Sequence, residues 1–172
     1  MKFEKPIVSV IMPVYNGDQF LDRSIKSVLN QTFNNFEYII INDGSTDDSQ
    51  KIIESYKDSR IKLINYSKNM GISFALNNGL NVAEGNYIAR QDQDDVSFPD
   101  RFMLQIEFLE NNNNIDLVDT NFIFIDENDK YIHDYEKRYF RPDETLSHLF
   151  FYEMVHASIM CKKSLFTDNN IQ

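Results

Sequence analysis

Three carboxylates stand within four residues of one another, at Asp92, Asp94 and Asp95. They follow a short apolar run, residues 87–89, whose composition predicts a buried strand. Acidic side chains this close repel one another, so they are most stable in water or around a cation. The i, i+2 spacing at a strand end lets two carboxylates turn toward one point, and hard divalent ions prefer carboxylate oxygens as ligands. On spacing alone, a metal site and a solvated acidic turn are equally good interpretations.

Predicted strands and helices alternate along the chain on both sides of this turn. Apolar, β-branched runs predict strands at residues 7–12, 36–41, 61–66, 87–89 and 117–125. Apolar residues at helical spacing predict helices that begin near Asp18, that carry Ile52 and Ile53, that span 72–83 and that follow Pro99. Past residue 135 the pattern weakens to a helix near 144–152, a strand around 158–160 and a helical start at Lys163. The alternation predicts an α/β fold with a largely parallel sheet.

Polar turns follow four of the predicted strands. They lie at residues 15–16, 43–44, 69–71 and 92–95. In an open parallel sheet, ligands bind beyond the carboxyl ends of the strands, so these turns predict a binding site along one edge. Loops that only solvate the sheet would show the same polarity, so the pattern favours a site without excluding that alternative.

Two of these positions suit a nucleotide. Asp43 precedes Gly44, whose backbone freedom lets a ligand approach closely, and its carboxylate can accept a hydrogen bond from a nucleobase imide or a ribose hydroxyl. Capping of the following helix would explain the same aspartate. Tyr15 can stack its ring on a base, although a tyrosine just past a strand often only packs against its neighbours. Neither residue identifies a nucleotide site by itself.

The composition limits the partners and the compartment. The chain has 172 residues and a formal net charge of −10, which argues against nucleic acid or an anionic membrane as a direct partner. The same charge means that an anionic substrate needs a metal ion or local cations in order to bind. A single cysteine, Cys161, excludes an internal disulfide, and we find neither a signal-peptide pattern nor a transmembrane apolar run. We therefore expect a cytoplasmic protein.

A family resemblance rests on four stretches, residues 8–16, 41–47, 69–80 and 85–95. Together they are similar in order and spacing to the family 2 glycosyltransferases, which are inverting enzymes with the GT-A nucleotide-sugar-binding fold. The resemblance covers about residues 7–109 and continues weakly to about 166. It implies a three-layer, Rossmann-like GT-A fold, in which helices flank a mostly parallel sheet.

The resemblance also implies how the chain is divided. We expect a single domain over residues 1–172 that lacks its C-terminal part. Nucleotide binding would occupy about residues 7–125, and the start of an acceptor side about residues 126–172.

For the nucleoside, the resemblance implies a pocket whose near wall is formed by Pro13, Val14, Tyr15 and Asn16. Asp43 would hydrogen-bond the base. Asn69 and Gly71 would shape the far wall of the pocket.

For the diphosphate and the sugar, the resemblance implies a DxD motif at Asp92 and Asp94. Asp92 would lie nearer the ribose and the metal, Asp94 would bind Mg²⁺ or Mn²⁺ directly, and Arg90 would belong to the nucleotide-sugar site. Asp95 would sit just outside the metal ligands or face the sugar. A divalent ion would then bridge the acidic protein to the pyrophosphate and stabilise the departing nucleoside diphosphate.

The family reaction is a single displacement at the anomeric carbon, in which a carboxylate takes the proton of the attacking acceptor hydroxyl. We find no match for that base and expect it beyond Gln172, because the nearest acids stand in a different context, at Asp143, Glu144 and Glu153. His156 lies in a segment that resembles the one facing the acceptor, and we favour a structural role for it.

The partners follow from the same resemblance. It implies a nucleoside-diphosphate sugar as donor, with a UDP-sugar favoured, and a saccharide or lipid-linked acceptor in the synthesis of surface polysaccharide or another glycan. Peripheral attachment at the inner face of a membrane stays open as a location.

Three alternatives also stay open. A haloacid-dehalogenase-type phosphatase uses two aspartates at i, i+2, as Asp92 and Asp94 are, but its motif follows the first strand. A receiver-like signalling domain has an acidic Mg²⁺ pocket at its strand ends, yet it needs acids after the first strand, where this chain has Pro13 to Asn16. A nucleotide-sugar-binding module without catalytic activity is the third alternative, because the base is missing.

Overall fold

A six-stranded sheet forms the middle of the structure, and helices pack on both of its faces. The computed structural model describes residues 5–128, 130–134 and 155–167. Its strands are β1 (Val8–Val14), β2 (Phe36–Asp43), β3 (Ile61–Tyr66), β4 (Tyr87–Arg90), β5 (Leu117–Val118), β6 (Ile123–Ile125), β7 (Tyr131–Asp134) and β8 (Met160–Lys162). Its helices are α1 (Asp18–Leu29), α2 (Ser49–Ser55), α3 (Ile72–Val82), α4 (Arg101–Asn111) and α5 (Ser164–Thr167), and a 3-10 turn covers His156–Ser158. None of the helices in these ranges has the length and apolar character needed to cross a membrane.

The strand order across the sheet is β3-β2-β1-β4-β8-β5. Strands β1 to β4 run parallel, whereas β8 is antiparallel to both β4 and β5. Strands β6 and β7 form a separate antiparallel pair. The predicted α/β fold with a mostly parallel sheet is therefore confirmed. The strand order reverses at β1, between β2 and β4, and open sheets bind ligands beside such a reversal at the carboxyl ends of the strands.

Alternation along the buried strands supplies core residues to both faces of the sheet. On one face, Val10 and Met12 of β1 belong to a core shared with α1, α2 and α4. On the other face, Ile11 and Ile41 pack with α3. A Cβ on Gly79 of α3 would lie 2.5 Å from Cγ2 of Ile11, so this glycine lets the helix lie close to the sheet. The three predicted layers follow from this packing.

Strands β1 and β2 extend two residues beyond their predicted ends, to Val14 and Asp43. Pro13 lies inside β1, although its missing N–H normally excludes proline from the middle of a sheet. It is tolerated because the pairing of β1 with β4 ends at Ile11, whose carbonyl accepts from the amide of Gln91. The backbone of Pro13, two residues further along β1, faces the same side of the strand as that of Ile11. At that point β4 has ended, so no β4 carbonyl needs an N–H donor from Pro13. The longer strands carry Pro13 and Asp43 to the rim of the sheet.

The prediction of one strand over residues 117–125 is wrong. The chain forms β5, leaves the sheet, and then forms β6 with β7 as its partner. The break follows from a contact with the 3-10 turn, in which the amide of Thr120 donates to Oγ of Ser158 at 2.9 Å. The strand predicted around 158–160 lies slightly later, as β8, and the helical start near Lys163 is confirmed as α5. The helix predicted near 144–152 lies outside the described residues.

A buried carboxylate ties three strands together at the opposite, amino-terminal edge of the sheet. Oε1 of Glu37 accepts from Oγ of Ser9 at 2.5 Å and from the amide of Glu84 at 2.6 Å. Nζ of Lys62 forms an ion pair with Oε2 of the same carboxylate at 2.7 Å. Burial alone would raise the pKa of Glu37, but the Lys62 charge and these hydrogen bonds outweigh it, so the pKa is lowered.

Candidate functional site

The loops at the carboxyl ends of the parallel strands enclose a cleft of about 280 Å³. Its lining includes seven residues that the sequence assigns to a nucleotide site: Pro13, Val14, Tyr15, Asp43, Asn69, Asp92 and Asp94. The lining is completed by Ile72, Ala75 and Gln93. Four other assigned residues lie beside the cleft rather than in its lining: Asn16, Gly71, Arg90 and Asp95. The turns after β1, β2, β3 and β4 therefore meet in one place.

Asp43 fixes the loop that follows β3. Its side chain is 3% exposed, and its carboxylate accepts from the amide of Met70 at 3.0 Å and from the amide of Gly71 at 2.8 Å. Gly71 has a φ of +96°, and the space beside its Cα is open, so the backbone conformation rather than crowding favours glycine here. The carboxylate therefore positions the loop that carries Asn69 in the lining of the cleft and Gly71 beside it, and it keeps lone pairs for a ligand.

Asn16 faces the neighbouring loop rather than the cleft. Its Oδ1 accepts from the amide of Thr46 at 2.8 Å, and its own amide donates to Oγ of Ser45 at 3.1 Å. Its φ of +49° lies in the left-handed region, which asparagine tolerates better than most residues. Asn16 thus ties the loop after β1 to the loop after β2. Tyr15, at 45% exposure, is the neighbouring side chain that is open to a ligand.

Gln93, which the sequence did not single out, lies between the two aspartates and lines the cleft. Its Oε1 accepts from the amide of Tyr15 at 2.9 Å, and its Nε2 donates to the carbonyl of Tyr15 at 3.3 Å. The side chain lies against Gly17, where a Cβ would be 2.5 Å from Cδ of Gln93. A glutamine between two acids carries no chemical signal in the sequence. Only the fold reveals that it connects the acidic turn to the loop after β1.

Asp92 and Asp94 have different surroundings. Arg90 donates to both carboxylate oxygens of Asp92, at 2.9 Å from Nε and 3.2 Å from Nη2. The carboxylate of Asp94 is exposed and has no comparable partner among the described residues. Arg90 therefore orients Asp92 and offsets part of the charge in the turn, while Asp94 is available to a ligand.

A larger cavity of about 840 Å³ shares Asp92 and Asp94 with the first cleft. Asp95 and His156 also line it, and its apolar side is formed by Val96, Phe98, Phe122, Ile123, Ile125 and Val155. Asp95 is exposed to this cavity, yet the surrounding protein partly desolvates its carboxyl and raises its pKa to about 6, and the charges of Asp94 and Asp92 add to the effect. Asp92 and Asp94 thus stand at the junction of two spaces.

A buried guanidinium supports the acidic turn from below. Arg101 is 7% exposed and donates to Oε1 of Gln91 at 3.0 Å and to Oγ of Ser97 at 2.9 Å. Gln91 in turn donates to the carbonyl of Asp95 at 2.8 Å. Burial lowers the pKa of Arg101 to about 10, while the charges of Asp95 and Asp92 oppose that shift, so the group stays a cation at neutral pH. The turn is therefore held in shape with a positive charge beneath it.

The oxygen donors at the junction fit a hard divalent ion that is shared with a ligand. Asp92 and Asp94 offer carboxylate oxygens, which Mg²⁺ and Mn²⁺ prefer. In residues 5–128, 130–134 and 155–167, no group of three or more His, Cys, Asp or Glu side chains is arranged to hold a metal. Two protein carboxylates nevertheless suit Mg²⁺, which usually binds through one or two carboxylates together with substrate phosphates.

Sequence comparison connects the chain to one family. The family model described as glycosyl transferase family 2 matches residues 9–166. The chain is 36% identical over 169 residues to an uncharacterized glycosyltransferase of Methanocaldococcus jannaschii. This match covers 95% of this chain and 58% of that protein. It is 43% identical over 125 residues to EpsE of Bacillus subtilis, which is also named as a glycosyltransferase. This match covers 71% of this chain and 45% of that protein.

Solved structures share the fold. TarS 1–349 of S. aureus in complex with UDP-GlcNAc superposes with a TM-score of 0.75 at 21% identity, over 95% of this chain and 47% of that chain. The mannosyltransferase PcManGT of Pyrobaculum calidifontis, solved with GDP-Man and Mn²⁺, superposes with a TM-score of 0.69 at 17% identity, over 96% of this chain and 47% of that chain. The chain spans 58% or less of the length of each of these four proteins.

Proposed function

Since this chain belongs to glycosyl transferase family 2, we propose that its cleft binds a nucleoside-diphosphate sugar and that the full enzyme transfers the sugar to an acceptor hydroxyl. The proposal rests on one observation, the junction of two cavities at Asp92 and Asp94. A nucleotide in the smaller cleft would have its diphosphate at these carboxylates and its sugar in the larger cavity. The bond to be broken would then lie at the junction, where donor and acceptor meet.

The smaller cleft suits a nucleoside. The exposed ring of Tyr15 offers a face for base stacking, and Ile72 and Ala75 give the cleft an apolar surface. Asp43 would accept a hydrogen bond from the ring N–H beside a carbonyl of the base, which both uracil and guanine carry. UDP is bound to TarS and GDP-Man to the mannosyltransferase, and we favour a UDP-sugar for this chain.

Asp92 and Asp94 would hold a Mg²⁺ or Mn²⁺ ion against the diphosphate, and the Mn²⁺ in the mannosyltransferase structure supports this assignment. When bound, the ion neutralises negative charge on the departing nucleoside diphosphate. Arg90 keeps Asp92 directed at this position, and Arg101 offsets part of the negative charge of the turn from below. Asp95, just outside these ligands, would face the sugar.

We propose a single displacement with inversion at the anomeric carbon. The acceptor hydroxyl attacks from the larger cavity, the bond between the sugar and the diphosphate breaks, and the hydroxyl proton passes to a carboxylate base. We assign no residue of this chain as that base. The acceptor would be a saccharide or a lipid-linked saccharide, in the synthesis of surface polysaccharide or another glycan on the cytoplasmic side of the membrane.

Thermal unfolding in the presence of ligands tests the proposal. The chain is melted with UDP-, dTDP- and GDP-sugars and with the nucleoside diphosphates, each with and without Mn²⁺. A ligand at 100 times its dissociation constant stabilises the native state by about 2.7 kcal/mol, which raises the melting temperature of a domain of this size by about 5–10 °C. We expect a rise of this size only when Mn²⁺ and a nucleotide are present together.

Two variants make the test specific. Asp94→Asn removes the charge of the free ligand oxygen and should abolish the metal-dependent rise. Glu107→Gln, which removes an exposed carboxylate of α4 outside both cavities, should keep it. Full metal-dependent binding by the Asp94 variant would end the metal assignment. Hydrolysis of a phosphate monoester without any nucleotide-dependent rise would favour the phosphatase alternative.

A further inference from the structure

His156 lines the larger cavity, and the proposed reaction gives it no task. It belongs to the 3-10 turn, and its side chain is exposed at the cavity wall. Neither ring nitrogen has a hydrogen-bond or ionic partner among the described residues, whereas Nδ1 of His133 lies 3.0 Å from the carbonyl of Asp134. An imidazole whose nitrogens contact no partner in the described part of the chain, in a cavity that it shares with three carboxylates, is available to a ligand.

The backbone that carries His156 is held by buried groups. Nε2 of Gln105 donates to the carbonyl of Ser158 at 2.7 Å, and Nη2 of Arg101 donates to the carbonyl of Ile159 at 3.3 Å. Arg101 and Gln105 are both buried, and Nε of Arg101 donates to Oε1 of Gln105 at 3.2 Å. Because the backbone is already fixed, ligand binding has only the His156 side chain to order, which keeps the entropic cost of a contact low.

Arg101 connects this turn to the acidic turn on the other part of the cavity wall. The guanidinium that contacts Ile159 also donates to the carbonyl of Arg90 at 2.7 Å and to Oε1 of Gln91 at 3.0 Å. One buried side chain therefore sets the position of His156 relative to the residues around Asp92. Such mutual positioning matters for a contact with a ligand at the junction, because a displacement of about 1 Å is enough to lose it.

We propose that His156 hydrogen-bonds a hydroxyl group of a sugar in the larger cavity and helps to position that sugar at the junction. This inference rests on the proposed function, because it requires a sugar in the cavity. A neutral imidazole offers one donor and one acceptor nitrogen, and a hydroxyl group is likewise both donor and acceptor. The sugar belongs either to the donor nucleotide or to the acceptor, since both present the same chemistry. The lack of any partner for the imidazole within residues 5–128, 130–134 and 155–167 favours this contact over the structural role expected from the sequence.

Nuclear magnetic resonance of the histidine rings separates the two sources, because the chain has three histidines, His133, His148 and His156. The chain is labelled on its imidazoles, and the His156 signal is assigned with His156→Gln. Spectra are recorded with Mg²⁺ and UDP or GDP, then with UDP-GlcNAc, UDP-glucose or GDP-mannose, then with UDP plus methyl glycosides of common hexoses. A His156 shift that a nucleotide sugar causes and its free nucleotide does not identifies the donor sugar. A shift that appears only with a methyl glycoside identifies the acceptor.

Calorimetry gives the quantitative test. His156→Ala should weaken the binding of the sugar that shifts the His156 signal by about three- to tenfold, as expected for one hydrogen bond, and should leave the Kd of UDP unchanged. His156→Gln keeps a donor and an acceptor and should recover most of that loss. A His156 signal that no sugar moves, in a chain that binds UDP, overturns the inference and leaves the proposed function standing. A wild-type chain that binds no nucleotide overturns the proposed function and the inference together.

Discussion

Arg90 and Asp92 are two residues apart, and the guanidinium contacts both carboxylate oxygens of the aspartate. A bidentate pair of this kind fixes direction as well as charge. Asp94, two residues further on, is exposed, so the acidic turn combines one oriented carboxylate with one that has no comparable partner among the described residues. The residue types were identifiable in the sequence. Their division of tasks depends on how the chain turns after β4, which spacing does not determine.

Replacing Arg90 with glutamine tests whether the orientation of Asp92 matters. The variant keeps a polar side chain but loses the charge and the two-point contact. We therefore expect the affinity for UDP in the presence of Mn²⁺ to fall about tenfold. Calorimetric titration of UDP at saturating Mn²⁺ measures the change.

Arg60→Gln is the matched control. Arg60 makes the same kind of contact with Asp58, at 3.0 Å from Nε and 2.8 Å from Nη2, outside both cavities. Its variant should bind UDP as the wild type does, whatever happens to its melting temperature. Equal affinities for wild type, the Arg90 variant and the Arg60 variant would mean that Arg90 orients no group that a ligand uses.

Gln93→Ala tests the amide pair that connects the acidic turn to Tyr15. Two hydrogen bonds at the rim of the cleft are lost, at 2.9 and 3.3 Å, and Tyr15 is no longer held in place for a base. We expect UDP to bind about three- to tenfold more weakly, with a loss of less than about 1 kcal/mol in the free energy of unfolding. Gln50→Ala, at an exposed glutamine that contacts Glu54, should leave binding unchanged. Unchanged binding in the Gln93 variant would mean that the cleft does not depend on this connection.

At the scale of the elements, regular local patterns were enough for β3, α1 and α3. Strand β3 occupies its predicted residues, Ile61–Tyr66, because a short, mainly apolar run between polar residues defines it locally. The break between β5 and β6 depends on Thr120 and Ser158, which are 38 residues apart. The hydrogen bonds from Arg101 and Gln105 to the carbonyls of Ile159 and Ser158 also join segments that are far apart in the sequence. A contact between distant segments leaves no periodic trace in the sequence, so these features could not be predicted.

Arg101→Met tests whether α4 holds the cavity walls together. Methionine has a similar length but no donors, so Oε1 of Gln91 and the carbonyls of Arg90 and Ile159 lose hydrogen bonds in a buried place. We expect Arg101→Met to lower the free energy of unfolding by about 3 kcal/mol or more. The free energy of unfolding of Arg101→Lys should lie between those of Arg101→Met and the wild type. Urea denaturation measures both. Lys26→Met, which removes an exposed ion pair with Asp22, should cost less than about 1 kcal/mol. A similarly small loss in Arg101→Met would contradict the structural task of this arginine.

At the scale of the whole molecule, the two edges of the sheet hold carboxylates in opposite environments. The carboxyl edge places Asp92, Asp94 and Asp95 around two cavities, whereas the amino edge surrounds Glu37 with donors. The site at the carboxyl edge was predictable in outline, because parallel strands bring their ends together whatever the loops contain. Its division into two cavities was not, because the 3-10 turn at His156–Ser158, far from the other strand ends in the sequence, forms one wall of the larger cavity.

These environments predict opposite responses of stability to pH in metal-free buffer. The pKa of Glu37 is lowered, so its ionised form stabilises the fold; this contribution is complete above the unfolded value of 4.5 and is lost as the pH falls through the folded pKa. The pKa of Asp95 is raised from 3.8 to about 6 by burial and by the charges of Asp94 and Asp92, against the opposing charges of the two nearby arginines. Its ionised form therefore destabilises the fold. That loss of stability is complete above about pH 6 and disappears as the pH falls below 3.8.

Asp95→Asn removes a carboxylate that is unfavourable in the folded state at neutral pH. We expect it to raise the melting temperature at about pH 7.5 and to have little effect at about pH 4. Glu37→Gln should lower the melting temperature at about pH 7.5, and the difference from wild type should shrink as the pH falls below the unfolded pKa of glutamate. Melting curves at constant ionic strength with a chelator, across this pH range, measure both differences. If both variants follow the wild-type curve at a constant offset, neither carboxylate has a shifted pKa, and the acidic rim costs the fold nothing. Differences of opposite sign that converge toward low pH would show that the rim is maintained at the expense of stability, as expected where a ligand and its cation provide the missing charge.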